Sequence, residues 1–365
     1  AVVTSDHRGN MGMHYTSVPN IMKVIEPLFL DELYSEFEKS YESKTKLQNL
    51  LNRLAKIKIF DPACGSGNFL IIAYKKLREL EMNILQRIEA LSKERTFVFS
   101  EIKLTQFYGI ELDDFAHEVA MLSLWLAEHQ MNLEFYKAFG RTSPSLPLHD
   151  GGHIVHGNAT RVNWEEVCPK NESDEIYILG NPPYQGSRKQ NKEQKEDLAF
   201  VFDGFKKFKD LDYIACWFYI GAKYIQNINA KLALVSTNSI CQGEQVDMIW
   251  PFIFELKVEI SFAYQSFKWK NNAKDNAGVS VVIIGLQNKN NSTKYLFIEN
   301  IKKQVLYINA YLVSGNNIIV KRTNKQISNL PLMPKGNMPY DGGNLSLSEQ
   351  EKEKLINDYP ESTKF

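Results

Sequence analysis

Apolar residues recur every three or four positions from Val18 to Leu54, at Ile21, Ile25, Leu28, Leu33 and Phe37 and again at Leu47, Leu50, Leu51 and Leu54, with charged residues between them. That period predicts an amphipathic helical layer. The pattern changes at Ile57-Lys58-Ile59-Phe60, a short apolar run stopped by Asp61-Pro62, which predicts a strand. Phe69 to Leu91 predicts a helix, Gln106 to Ile110 a second strand ending at Glu111, and His117 to Met131 a helix with one strongly apolar face. After a Pro/Gly/His-rich loop from Arg141 to Gly152, Ile154-Val155 leads into Gly157-Asn158-Ala159. Ile176 to Leu179 is a strand candidate that runs straight into Gly180-Asn181. Helices are expected over Leu198 to Phe208 and Tyr213 to Gln226, then buried strands at Leu232 to Ser236, Val258 to Tyr264 and Val279 to Leu286.

Strands alternating with helices predict an α/β fold with a doubly wound, mostly parallel sheet, its last two strands adjacent and hairpin-paired. In such sheets ligands sit at the carboxyl ends of strands, where strand order reverses. From Asn288 the texture changes: Asn- and Lys-rich stretches alternate with β-like runs at Tyr295 to Ile298 and Asn317 to Val320, and Leu330 to Asn344 reads as loop. The expected organisation is a helical segment over 1–55, an α/β domain over 56–287 and a C-terminal extension over 288–365.

The 365 residues include 43 basic and 43 acidic side chains, so a nucleic-acid surface would have to be a local patch rather than a global charge. Cys64, Cys168, Cys216 and Cys241 are widely separated, without C-x-x-C pairs or nearby histidines. Neither a zinc site nor a disulfide framework is indicated, and reduced thiols are expected. No apolar run reaches ~18 residues and no basic-then-apolar leader is present, so a cytoplasmic protein without a membrane segment is expected. The chain starts without methionine and stops just after a polar stretch, as a piece of a longer polypeptide would.

The candidate chemistry lies just after strand candidates. In Asp61-Pro62-Ala63-Cys64-Gly65-Ser66-Gly67-Asn68-Phe69, a strand, a G-x-G turn and a helix start make a site for polar groups, because glycines admit close approach and the helix start presents free N–H groups. A nicotinamide loop would carry a third glycine where Leu70 stands, and a phosphate-cradling loop would need Gly-Lys-Ser/Thr. The acid at its mouth repels a pyrophosphate and suits a cation such as the ammonium group of S-adenosylmethionine (AdoMet). Glu111 is positioned to accept the hydroxyls of a ribose; the alternative is a surface acid in a strand-to-helix loop. Asn158 is either an adenine contact or a simple turn residue.

Asn181-Pro182-Pro183-Tyr184 suits methylation of an exocyclic amino group. The lone pair of such a nitrogen is delocalised into its ring, and two acceptors on its N–H groups favour an sp3-like nitrogen aimed at the methyl. Asn181 offers a side-chain carbonyl, Pro182 a backbone carbonyl on a φ-locked chain and Tyr184 a face for stacking. A base inside a duplex must be flipped out to be reached. Phe267, before Trp269, is the first choice for the opposite face, in the basic stretch Ser266-Phe267-Lys268-Trp269-Lys270-Asn271-Asn272 expected to be a loop. Arg188, Lys189, Lys192 and Lys195 are either phosphate contacts or a solvated face.

Taken in order, Tyr15-Thr16-Ser17, the Asp61 loop, Glu111, Asn158, Asn181 to Tyr184 and Phe267 resemble the γ-type arrangement of N6-adenine DNA methyltransferases. His14 to Ser17, Ile178 to Tyr184, Phe267 to Asn272 and Asp341-Gly342-Gly343-Asn344-Leu345 are similar to MmeI-like proteins, which fuse nuclease, methyltransferase and target recognition domain. The resemblance covers nearly the whole chain. It implies a seven-stranded AdoMet-dependent sheet and a catalytic set of Asn181, Pro182, Pro183 and Tyr184. It implies cofactor contacts from Tyr15, Thr16, Asp61, Ala63, Gly65, Gly67, Asn68, Phe69, Glu111, Leu112, Asn158 and Ala159, with Thr16 a better helper than Tyr15. Phe267, Trp269, Arg188 and Lys189 would face the target base or the DNA, and no metal is needed for the transfer. Related enzymes often carry aspartate where Asn158 stands. The implied partner is double-stranded DNA, in a prokaryotic restriction-modification polypeptide that continues into nuclease and recognition regions. No P-D…E-x-K segment precedes the methyltransferase motifs, so no cleavage by this chain is expected, and the region after 288 is shorter than a full recognition domain.

Two other functions fit the same residues: methyl transfer to an RNA base or a protein glutamine, and a non-catalytic module binding cofactor and DNA. The aromatic-basic stretch at Phe267 favours DNA, and the intact Asn181 to Tyr184 loop favours turnover.

Overall fold

A computed structural model describes residues 16–92, 99–140, 151–269, 279–299, 301–321 and 347–364. Tyr15, the Lys270-Asn271-Asn272 stretch, Leu330 to Asn344 and Asp341 to Leu345 lie outside the described residues, as does the side chain of Trp269. The chain divides into two compact units, residues 1–321 and 322–365.

The first unit opens with α1 (Val18–Ile25), a π turn (Glu26–Leu30), α2 (Asp31–Ser40) and α3 (Lys44–Leu54). The π turn contains Pro27, whose ring removes a donor from the helical ladder, so a continuous apolar period becomes separate helices. Then come β1 (Ile57–Asp61), α4 (Asn68–Leu91), β2 (Phe107–Glu111), α5 (Asp114–Phe139), β3 (His153–His156), α6 (Trp164–Val167) and β4 (Glu175–Gly180). They are followed by α7 (Lys192–Val201), α8 (Ala215–Tyr224), β5 (Ala230–Thr237), α9 (Glu244–Glu255), β6 (Val258–Trp269), β7 (Val279–Asn288), β8 (Lys294–Ile298) and β9 (Ile301–Val305).

The nine strands among the described residues form one sheet in the order β3-β2-β1-β4-β5-β7-β6-β8-β9. The first five of these are parallel, and β7 runs antiparallel between β5 and β6. Seven strands match the expectation. The two further ones, β8 and β9, come from the segment after 288: β8 adds to β6 in parallel and β9 turns back on it. Ile318 and Val320, in the other β-like run, are exposed and outside any strand.

Apolar runs such as Ile176 to Leu179 alternate their side chains across the sheet. Ile176, Ile178, Leu232 and Leu234 pack with Trp164, Trp217, Phe218 and Trp250 on one face. Tyr177, Leu179, Ala233 and Val235 pack with α1 to α5 on the other. The sheet is thus covered on both sides.

Three expectations shift. The helix expected over Leu198 to Phe208 is α7, beginning at Lys192, because Asn191 and Gln194 form a reciprocal capping box there; Phe208 lies in a separate 3-10 turn, Phe208–Asp210. α9 had no counterpart in the sequence pattern, since Pro251 interrupts it, yet its fully buried Trp250 donates to the Ile240 carbonyl at 2.7 Å. Phe267, Lys268 and Trp269 belong to β6 and pair with β7 rather than forming a loop. Among the described residues no helix is long and apolar enough to cross a membrane. In the second unit the described part is α10 (Glu349–Asp358), capped by Ser348 and Glu351, and a 3-10 turn at Pro360–Lys364.

Candidate active site

Strand order reverses between β1 and β4, and their carboxyl ends carry Asp61 and Gly180-Asn181. The two segments, more than a hundred residues apart in sequence, are brought together by the ladder that pairs Ile57 to Phe60 with Glu175 to Ile178. Gly180 is required by this proximity: a Cβ there would stand 2.5 Å from Asp61 Oδ1. Gly180→Ala is therefore expected to displace either the acid or the Asn181 loop, at a cost of about 1–3 kcal/mol; calorimetric melting checks it, and an unchanged melting temperature would refute the tight fit.

Asp61 is fully buried. Its Oδ1 accepts the Ala63 N–H at 3.0 Å, and its Oδ2 has no partner. Burial, with a smaller contribution from the Glu111 carboxylate, pushes its pKa up to about 8 against the pull of the Ala63 N–H. A buried acid with a vacant oxygen at the mouth of a glycine turn is a receptor for a cationic or donor group. The turn itself is set by Gly67, which caps α4 at φ +82°, and the Gly67 N–H donates to the Cys64 carbonyl at 2.8 Å. Asn68 donates to Ser66 at 3.2 Å and Phe69 is buried. Burial also raises the Cys64 thiol, with Asp61 and Glu111 nearby adding to it, which leaves it a packing group rather than a nucleophile.

Glu111, ending β2, accepts the Gly65 N–H at 2.7 Å and the Asp113 N–H at 2.9 Å. Burial nevertheless raises its pKa, which these donors oppose. It pins the glycine turn to the start of α5, and an ionised carboxylate retains further acceptor capacity for a diol. Leu112, next to it, is exposed. Thr16 is buried just before α1.

Asn158 is more engaged than a turn residue. Its amide donates to Asp197 Oδ2 at 2.9 Å, and its carbonyl accepts the backbone N–H and hydroxyl of Thr160. The neighbouring Ala159 carbonyl accepts Trp164 Nε1 at 2.8 Å. Asp197, at the buried side of α7, also accepts from Tyr213 and from Arg161, each at 2.7 Å. Burial works against its charge, but the donors from Tyr213, Asn158 and Arg161 prevail and hold its pKa below the usual carboxylate range. Sequence reasoning missed Asp197 because it sits in a run of charged residues that reads as a solvated face.

The catalytic-loop candidates sit directly after β4. The side-chain oxygen Oδ1 of Asn181 is buried and has no hydrogen-bond partner. Pro182 is buried, and Tyr184 is half-buried against the α6–α9 side of the core, its hydroxyl pKa raised by burial. The chain then folds back: Gln190 donates to the carbonyls of Gln185 and Leu211, each at 2.9 Å, and the Tyr213 N–H donates to Gln185 at 3.0 Å. Trp217 Nε1 donates to the Pro62 carbonyl at 3.2 Å, so α8 holds the Asp61 loop, a role its apolar pattern did not disclose. Arg188 and Lys189 form an exposed 3-10 turn, and Lys192 and Lys195 are exposed on α7.

Because β6 runs parallel to β5 through the intervening β7, the end of β6 lies on the same edge of the sheet as Asn181. Val281 of β7 registers with both Thr237 and Phe267. A β-bulge between Tyr264 and Phe267 re-aims the latter. Its half-buried ring lies 6.2 Å from that of Tyr264 and 5.8 Å from Lys23 Nζ.

The chain is similar to known proteins. A family model described as "MmeI, DNA-methyltransferase domain" matches residues 37–298, and one described as "MmeI, target recognition domain" matches residues 314–365. DNA methyltransferase A of Bacillus subtilis (strain 168) is 55% identical over 99% of the chain, which spans 41% of that relative. A putative type II restriction enzyme and methyltransferase of Methanocaldococcus jannaschii is 45% identical over 27% of the chain, which corresponds to 8% of that protein. Among solved structures, the type IIL restriction-modification enzyme MmeI in complex with DNA matches with a TM-score of 0.89 and 40% identity, covering 100% of this chain and 50% of that one. The chain thus spans half or less of the length of these relatives.

Proposed function

The chain belongs to the MmeI DNA-methyltransferase family, and we propose that it transfers a methyl group from AdoMet to N6 of an adenine flipped out of double-stranded DNA, as the modification part of a restriction-modification protein. The observation that carries this reading is the pair of buried oxygens without partners, Asp61 Oδ2 and Asn181 Oδ1, at adjacent strand ends separated by the close approach at Gly180. Buried polar atoms are seldom left unpaired, and these two match the two substrates: one meets a cationic amino group, the other an amino N–H.

The residues fit AdoMet. Asp61 would meet its ammonium group, the Gly65 to Gly67 turn would admit it closely, Glu111 would accept its ribose hydroxyls, and Asn158 and Ala159 would border its adenine. Thr16, buried just before α1, would help. Bound there, AdoMet supplies an electrophilic methyl on a sulfonium. Asn181 Oδ1 and the Pro182 carbonyl then accept the two N–H bonds of the target amine and orient its lone pair. Tyr184 stacks on one face of the base, with Phe267 beyond it at the same edge of the sheet. Pro183 stiffens the loop. The relative MmeI was solved in complex with DNA, and base flipping brings N6 of a duplex to such a site.

The test uses the complete native gene in a bacterial host lacking its own adenine methylation, with genomic DNA digested to nucleosides and N6-methyladenine quantified by mass spectrometry. Methyladenine that vanishes in an Asn181→Ala variant is expected. Its absence from both, with soluble protein that binds AdoMet, would overturn the assignment in favour of an RNA or protein acceptor.

Arg188 and Lys189, beside the loop, are assigned to backbone phosphates. Replacing both with Ala is expected to weaken binding uniformly across DNA sequences and to flatten the slope of log K against log salt by about 1–2. Fluorescence anisotropy over a salt series measures this; an unchanged slope would return both residues to a solvated face.

A further inference from the structure

We propose that Asp114, His117 and Glu118 of α5, together with His156 at the end of β3, form a binding site for a divalent transition-metal cation of the zinc type, beside the cofactor loop. Asp114, His117 and Glu118 share one helix face through their spacing, and a ligand-type atom of each lies within 4.8 Å of the others. His156 Nδ1 is 3.9 Å from Asp114 Oδ1, and the two imidazoles are 6.0 Å apart between centroids.

The hydrogen bonds fix what the rings present. His117 Nε2 lies 3.1 Å from the Ile154 carbonyl, and His156 Nε2 lies 3.0 Å from the Leu112 carbonyl. A carbonyl only accepts, so each Nε2 carries a hydrogen, and in the neutral ring each Nδ1 is a bare lone pair. His117 Nδ1 is shielded from solvent, makes no hydrogen bond and lies 3.2 Å from Glu118 Oε1. Two lone pairs therefore face two carboxylates, an arrangement that needs positive charge between them. Protons on the rings would serve two separate pairs with exposed carboxylates, each worth little. One cation serves Asp114, His117 and Glu118 at once, with His156 reaching it from beside Asp114.

The donor set of two imidazoles and two carboxylates, each imidazole donating its other N–H to a backbone carbonyl, is what zinc and its neighbours bind. The four thiols are buried elsewhere in the fold. The ligands pair a helix with a strand far along the chain, so no sequence spacing discloses them. Asp113, next to Asp114, caps α5 and donates its N–H to Glu111, which also accepts the Gly65 N–H.

The experiment titrates metal-free protein with zinc chloride by calorimetry above neutral pH, and repeats it for His156→Gln and Glu118→Gln, both at side chains exposed enough to leave the fold intact. One ion per chain is expected, bound at least tenfold more weakly by each variant. Cobalt substitution should give a ligand-field spectrum without thiolate charge-transfer absorption. Absence of stoichiometric binding, wild-type affinity in either variant, or a thiolate band would overturn the proposal.

Discussion

Asn181→Ala is expected to lower the single-turnover methylation rate by about two to three orders of magnitude while leaving AdoMet binding unchanged and thermal stability unchanged or slightly raised. The combination follows from the unpaired Oδ1. In the free protein this oxygen is buried without a donor, so it carries a desolvation cost of about 1–3 kcal/mol without a compensating bond. Alanine removes that cost and with it the acceptor that orients the amine. A residue serving the fold would show the opposite pattern, a lower melting temperature with activity lost in proportion to unfolding. Quench-flow methylation assays beside calorimetric melts distinguish the two, and a variant that melts well below wild type would sink the assignment.

The second large effect concerns Asp61. Its carboxyl is fully buried, with a pKa of about 8 against an ordinary 3.8, and burial is the main cause. Between those values the folded protein holds a proton that the unfolded chain has lost. The stability contributed by the neutral acid is therefore complete below about pH 4, declines as pH rises to about 8, and is level above that. Asp61→Asn removes this decline, so the variant should melt above wild type near pH 8 and like it near pH 4. Cofactor affinity should move the other way. Pairing with an ammonium requires the carboxylate, so wild-type affinity should climb as pH approaches 8 and then level off. The variant should bind about a hundredfold or more weakly above pH 8, because breaking a buried charge pair costs about 3–5 kcal/mol. Melting curves and cofactor titrations over this pH range test both limbs. Parallel stability slopes in the two proteins would show that Asp61 is ionised in the free fold.

Stability at this site and binding to it are thus opposed. At the carboxyl ends of two central strands the fold places Asp61, an acid that burial keeps protonated, and Asn181, an amide oxygen without a donor. Under the proposed function, substrates would supply what the free protein lacks, and saturation with AdoMet should accordingly raise the melting temperature by mass action.

Much of this was legible residue by residue. Short apolar runs at Ile57 to Phe60 and Leu232 to Ser236 became central strands, and the glycine turn after Asp61 became the cap of α4. These are local properties, carried by side-chain alternation and by the φ of Gly67. Where local signals were weak, the reading slipped. The polar residues Ser266 and Lys268 looked like a loop, yet ladder bonds to β7 extend β6 through them. Asn191 and Gln194 held a helix start that the charged run concealed.

By itself the sequence determined the two loops and their chemical character, because a G-x-G turn after an acid and an Asn-Pro-Pro-Tyr run act through their own backbone and side chains. Only the tertiary structure decided that they meet. The parallel pairing of β1 with β4 sets Asp61 against Gly180, and the insertion of β7 between β5 and β6 returns Phe267 to the same edge. Asp197 on Asn158 and Trp217 on Pro62 join helices to loops far away in sequence. Hydrophobic period reports which face of an element is buried but not which element covers it. Strand order and long-range hydrogen bonds belong to the folded chain as a whole.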